Sequence, residues 1–115
     1  MQITIIKLPD ITEYNKYIMS IPLSSDITVL VIFKQLFRSD DVIIDVYLNE
    51  IANETKILGG KKLVPDALLC LPKRDLGFNY NIYCTDIDGI NTGIIKNNVY
   101  KFYFQFTTQE GEDWS

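Results

Sequence analysis

Apolar and polar residues alternate with a period of two through most of the chain, the spacing of a strand with one face in a core. The pattern is cleanest over 99–107, where Tyr100, Phe102, Phe104 and Phe106 share one face and Lys101, Tyr103, Gln105 and Thr107 the other. Residues 78–85 repeat it, with Phe78, Tyr80, Ile82 and Cys84 inward against Asn79, Asn81 and Tyr83. Over 42–49, Val42, Ile44, Val46 and Leu48 face one way and Ile43, Asp45, Tyr47 and Asn49 the other. The run 27–37 differs: Ile27, Val29, Val31 and Phe33 alternate with Thr28, Leu30, Ile32 and Lys34, so both faces are largely apolar. That predicts burial on both sides, as in a barrel wall or an interface strand. The polar turn 38–41 joins these two runs into a β-hairpin.

The remaining elements are shorter. Residues 3–8 read as a strand that stops at Pro9. In 10–20, Ile11, Tyr14, Tyr17 and Ile18 fit helical spacing behind a capping Asp10, so a loop or one helical turn leads into an extended 19–23 and a turn at 24–26. A short strand at 56–58 ends at Gly59-Gly60, where a tight turn is allowed. The stretch Lys56 to Phe78 then crosses from the hairpin to the later strands, with leucines at 63, 68, 69 and 71 between Pro65 and Pro72. Asp66 is placed to cap Ala67-Leu68-Leu69, and a helical turn and a bulged strand both fit there. Turns follow at 86–89 and at Asn97-Asn98, and 109–115 is an acidic tail that carries Trp114.

The predicted fold is all-β: a small antiparallel β-sandwich or partly open β-barrel with a short turn or helical crossover. Residues 1–20 form an N-terminal strand and extension, 21–108 the domain, and 109–115 the tail. At 115 residues and 47 % hydrophobic content, the chain can bury a core without disulfides or metals. Ala52 and Ala67 are its only alanines, which also argues against helix.

Charge and chemistry narrow the function by exclusion. The formal charge of −4 has the wrong sign for a nucleic-acid footprint, and no basic run exceeds the pairs Lys61-Lys62 and Lys73-Arg74. No apolar run approaches the roughly 20 residues of a membrane helix. A secretory start is absent, so the chain is expected to be soluble and made in the cytoplasm, with Cys70 and Cys84 as buried, reduced thiols. The sequon at Asn53 is then coincidental. There is no histidine, which removes the commonest general base and most zinc sites. The carboxylates Asp40 and Asp41 sit in a turn and Asp45 stands alone on a strand, so no catalytic residue is assigned, and no cofactor or metal is expected. Asp86-x-Asp88-Gly89-x-Asn91 has oxygen donors at alternate positions, as in part of a calcium loop, but Asp-Gly is itself a turn signal and the turn is favoured. Tyrosines at outward or unassigned positions (14, 17, 47, 83 and 103) suit a protein interface. The candidate contact residues are Lys61, Lys62, Lys73 and Arg74, at the rim of the crossover, with Tyr47, Tyr83 and Tyr103.

Ile21-Pro22-Leu23 precedes the hairpin 27–49, Gly60-Lys61-Lys62-Leu63 and Asp66-Ala67-Leu68-Leu69 follow it, and Leu76-Gly77 opens the strands 78–85 and 99–107. From Ile21 to Phe106 this order resembles the small baseplate plug proteins of contractile-tailed phages, typified by the cyanophage plug. The chain departs from them in lacking a Trp in the hairpin and in carrying residues 1–20 ahead of the Ile-Pro-Leu. The resemblance implies a virion protein at the tail tip, synthesised in the host cytoplasm. It also implies baseplate, hub and tail proteins as partners, several copies around the tail axis, and no catalytic residues. The alternative is a carbohydrate- or peptide-binding β-sandwich module.

Overall fold

The period-two runs pair into two antiparallel sheets. The computed structural model describes residues 3–35, 40–89 and 98–108. Its strands are β1 (Ile3–Lys7), β2 (Lys16–Pro22), β3 (Thr28–Gln35), β4 (Val42–Leu48), β5 (Lys56–Lys62), β6 (Ala67–Cys70), β7 (Tyr80–Thr85) and β8 (Tyr103–Thr108). One four-stranded sheet has the order β1-β8-β7-β6 and the other β2-β3-β4-β5. Neither closes on itself, so the fold is a small β-sandwich rather than a barrel.

The inward residues of both sheets make one core. Val29, Val31 and Phe33 of β3 and Val42, Ile44 and Val46 of β4 are buried against Ile82 and Cys84 of β7 and Phe104 and Phe106 of β8. The rings of Phe33 and Phe104 stack across the sandwich at 5.9 Å and 12°. Phe104 and Phe106 meet edge to face at 6.1 Å, and Tyr80 packs on Phe106 in the same way at 6.5 Å. Burying side chains of this size stabilises by about 1.5–3 kcal/mol each relative to exposure.

The two sheets pack face to face. β3 faces β8 through the Phe33–Phe104 stack and β5 touches β6, so the strand orders put β1 and β2 on one flank and β5 and β6 on the other. Leu8 and Ile11, in the loop from β1 to β2, plug the core at 2 % and 1 % exposure. Gln35 holds that loop by donating from Nε2 to the carbonyls of Ile11 (2.7 Å) and Tyr14 (2.8 Å).

Several expectations need correction. Residues 3–20 are not an extension ahead of the domain, because they supply β1 and most of β2, an edge strand of each sheet. Of the two readings for 10–20 the loop holds, with a turn closed by the Tyr14 N–H on the Ile11 carbonyl at 2.9 Å, but the extended segment starts at Lys16 and not at 19. The last strand begins at Tyr103 instead of Val99, because Val99–Lys101 forms a 3-10 helix. With three residues per turn, that helix breaks the alternation: Val99 turns inward and Tyr100, expected in the core, is 37 % exposed. Residues 78 and 79 precede β7, and Phe78 instead bridges back to Lys73.

The third strand does not stop at the glycine pair. β5 runs on to Lys62, with register shifts against β4 and Gly60 at φ +62°. A glycine in the left-handed region absorbs a bulge that any other residue would strain. Asp66 caps no helix: its φ is +54°, whereas an N-cap is extended. The strand alternative holds at 67–70, with a register shift between Leu68 and Cys70. The expected turns at 38–39 and 97, Asn91 and the tail 109–115 lie outside the described residues.

Candidate interaction surface

The candidate contact residues do not form one patch. Lys61 and Lys62 end β5 and are exposed; Lys62 Nζ pairs with Asp41 at 3.0 Å. Lys73 and Arg74 lie beyond β6, at the start of the 3-10 helix Arg74–Leu76, and are exposed as well. The chain runs up β5, turns at 63–66 and returns down β6, so these two pairs sit at opposite ends of one flank. Tyr47 is a correction. It is only 8 % exposed, on the outer face of β4, where the Lys56 ammonium lies 5.6 Å from its ring centre. With that ammonium over it and 8 % exposure, the ring has little surface to offer a partner.

Tyr83 and Tyr103 do come together on the outer face of the other sheet. Tyr83 pairs with Gln105 and Tyr103 with Thr85, which makes the two tyrosines diagonal neighbours. Both are half-buried. Tyr103 donates from its hydroxyl to Asp88 Oδ2 at 3.2 Å, and the Lys7 ammonium stands 5.0 Å from its ring centre. Beside them on β1 are Ile3 and Ile5, 52 % and 49 % exposed, and Ile18 on β2 is 50 % exposed. The alternation of β1 is visible in the sequence. That Ile3 and Ile5 face outward while Ile6 packs on the core is not, because either face of so short a strand could have met the core.

A second feature lies on the β5–β6 flank. A cleft of about 300 Å³ is lined by Leu58, Leu68, Leu69, Cys70, Leu71 and Lys73. Of these, Leu68 and Leu71 are 41 % and 59 % exposed. The stretch 56–74 holds Lys56, Lys61, Lys62, Lys73 and Arg74 but a single acidic residue, Asp66, in a chain of net charge −4. That asymmetry is written in the sequence; the apolar cleft beneath it needed the pairing of the strands to appear.

The ionisable groups are held in states that stabilise the fold. Asp45 is 6 % exposed. It accepts from Lys34 Nζ at 2.7 Å and from the Gly60 N–H at 2.6 Å. Burial by itself raises the Asp45 carboxyl, but these two hydrogen bonds, with the charges of Lys34 and Lys56, outweigh it and hold it below its ordinary 3.8. Asp10 is lowered too, chiefly by the Thr12 hydroxyl (2.7 Å) and then the Thr12 N–H (3.1 Å). It borders a shallow polar pocket of about 510 Å³ with Thr12, Glu13, Tyr14 and Tyr100. A lowered carboxyl holds no proton near neutral pH, so Asp10 is poorly suited to general acid catalysis.

Both cysteines are unpaired and buried. Burial pushes the Cys84 thiol up to about 12 and raises Cys70, the latter opposed by the Lys73 charge. A reactive nucleophile needs the opposite shift. In the folded protein at about pH 8, a thiol reagent is therefore expected to label neither cysteine until the chain unfolds. Rapid labelling of the native protein would contradict this placement.

Among the described residues, no group of three or more His, Cys, Asp or Glu side chains is placed to hold a metal ion. Asp86 to Gly89 forms a turn closed by the Gly89 N–H on the Asp86 carbonyl at 3.1 Å, with Gly89 at φ +66°. The Asp66 carboxylate accepts from the Asp86 N–H at 3.1 Å and ties this turn to the start of β6. Comparisons of the chain with protein-family models, curated proteins and solved structures found no match.

Proposed function

We propose that the chain is a structural subunit that acts through protein–protein assembly and carries no catalytic site. The observation that supports this most directly is the flank formed by β1 and β2. Edge strands of soluble proteins are commonly blunted by charge, proline, bulges or brevity. Here Ile3, Ile5 and Ile18 are each about half-exposed on the two edge strands of that flank. On the outer face that Ile3 and Ile5 share, Tyr83 and Tyr103 add aromatic area of the kind that interfaces favour, while Ile18 lies on the outer face of the other sheet. By contrast, the ends of the other flank carry the bulged β5 with its lysines and the short β6.

The assembly we propose is the baseplate of a contractile phage tail, with the chain as a plug or hub-associated protein at the tail tip. That part rests on the resemblance carried by Ile21-Pro22-Leu23, Gly60 to Leu63, Asp66 to Leu69 and Leu76-Gly77. Light scattering on the purified protein, alone and mixed with hub and tail-tube proteins of a contractile phage tail, tests both parts. Higher-mass species are expected, and Ile5→Lys is expected to weaken them at least tenfold. That variant should unfold within about 0.5 kcal/mol of the parent, because the position is on the surface. A protein that stays monomeric at high concentration and binds neither hub nor tube proteins would sink the reading.

A further inference from the structure

Of the four edge strands of the sandwich, three are blunted against pairing with another chain. β2 carries Lys16 at one end and Pro22, which has no N–H, at the other. β5 is bulged against β4 and ends in Lys61-Lys62. β6 has four residues and a register shift against β7. β1 has no proline and no register shift. Its one charge, Lys7, ends the strand and lies 5.0 Å from the centre of the Tyr103 ring. No described strand pairs with its free side.

The hydrogen bonds that β1 already makes fix what this side offers. The Leu8 N–H donates to the Phe102 carbonyl at 3.1 Å, and the same register pairs Ile6 with Phe104 and Thr4 with Phe106. Hydrogen-bonded and non-bonded pairs alternate along an antiparallel ladder, so positions 4, 6 and 8 direct their backbone groups to β8. Ile3, Ile5 and Lys7 direct theirs away from it. The same three side chains are exposed.

That spacing is self-complementary. In a second copy laid antiparallel about a two-fold axis at Ile5, Ile5 meets its counterpart and Ile3 meets Lys7 at each end. Every such pair is a hydrogen-bonded one that exchanges both N–H groups for both carbonyls. Charge selects this direction. Parallel pairing in register would set Lys7 beside Lys7, whereas the two-fold holds the two lysines about 14 Å apart along the strands, each opposite an isoleucine. The contact is about 17 Å long and one sheet, about 10 Å, deep. That is well short of the roughly 800 Å² per partner of a stable complex, so the pairing is reversible.

We propose that β1 pairs with β1 of a second copy across a two-fold axis at Ile5, which joins their two β1-β8-β7-β6 sheets into one continuous sheet. The proposal rests on the assembly reading, because it names the partner of the β1–β2 flank.

Light scattering on the purified protein alone is expected to show a monomer–dimer equilibrium. Ile5→Pro tests the ladder itself. It removes an N–H that faces away from β8, so pairing within the chain is kept, and dimer affinity is expected to fall at least tenfold. Cysteine variants read the register independently. On oxidation with copper phenanthroline, Ile5→Cys is expected to form a disulfide-linked dimer, since hydrogen-bonded pairs stand about 5.5 Å apart at Cα, within disulfide reach. Ile3→Cys should form none by itself and should cross-link when mixed with Lys7→Cys. The native Cys70 and Cys84 are buried and do not compete. A monomer at every concentration would overturn the proposal, and the assembly reading would still stand if that monomer bound hub proteins. A dimer that Ile5→Pro leaves intact overturns it too, because the copies then meet elsewhere. So does cross-linking of Ile3→Cys as readily as Ile5→Cys, which puts the axis at another position.

Discussion

Replacing Phe104 by alanine is expected to lower stability by about 4 kcal/mol, within the range for deleting a buried phenylalanine. The side chain is wholly buried. It stacks on Phe33 at 5.9 Å and meets Phe106 edge to face at 6.1 Å. Its position makes the loss severe. β8 lies between β1 and β7, and β3, which carries Phe33, lies between β2 and β4. The stack therefore joins the two sheets through interior strands, where neighbours on both sides limit collapse into the cavity. A domain of this size has roughly 5–15 kcal/mol in total, so the variant should still fold in the cold with a much lower urea midpoint and an unchanged m-value. A double-mutant cycle with Phe33→Ala is expected to show a coupling of about 0.5–1.5 kcal/mol from the ring contact itself. A loss below about 1 kcal/mol for Phe104→Ala would mean that the two sheets are not closely packed there.

Asp45→Ala comes next, at about 1.5–3 kcal/mol, the net worth of hydrogen bonds made to a charged group. Its carboxylate closes the bulge by accepting the Gly60 N–H at 2.6 Å while holding Lys34 at 2.7 Å. Alanine leaves that N–H without its acceptor. Asn keeps an acceptor for Gly60 and loses only the charge, so Asp45→Asn should cost less. Lys34 is 44 % exposed at its side chain, so solvent screening keeps the ionic part small.

The pH dependence follows from the two shifts. Asp45 is held below its ordinary 3.8, so its stabilisation is complete above that value and fades as the pH falls through the lower folded value. Lys34 is raised above 10.5, first by its hydrogen bond to Asp45 and then by the carboxylate charge, so its stabilisation is complete below 10.5 and is lost above it. The stability gap between the parent and Asp45→Asn should therefore be flat from about pH 5 to 9 and close towards both extremes. Urea titrations of the two proteins across that range measure it. A gap that persists unchanged into strong acid would show that the carboxylate charge contributes nothing.

Both predictions turn on residues that the sequence pattern handled unequally. Phe104 was legible: strict alternation from Phe102 to Phe106 points a row of rings at a core, whatever sheet they join. The role of Asp45 was not. Alternation placed it on the outer face of its strand, apparently alone, and only the bulge at Gly60 and the pairing with β3 bring its two partners to it. The contact residues divide in the same way. Tyr83 and Tyr103 are outward as the alternation predicts, whereas the lysine ammonium over Tyr47 comes from a different strand. The exposure of Ile3, Ile5 and Leu71 is not legible in the sequence, because apolar side chains in short strands look like core until the sheet order is known.

By itself, then, the chain's period-two pattern determined an all-β fold, the β3–β4 hairpin, the inward faces of its longer strands and the absence of histidine chemistry. These are local properties: side-chain direction alternates with residue number, and composition does not depend on folding. The tertiary structure alone decided that the sheets stay open as a sandwich and that residues 3–20 supply an edge of each. It also decided that β5 runs through its glycines and that a basic-rimmed apolar cleft separates β5 from β6. Each depends on which strands become neighbours. Partners in these sheets lie up to a hundred or so positions apart, as Ile3 and Thr107 do, and a pattern with a period of two carries no information over that distance.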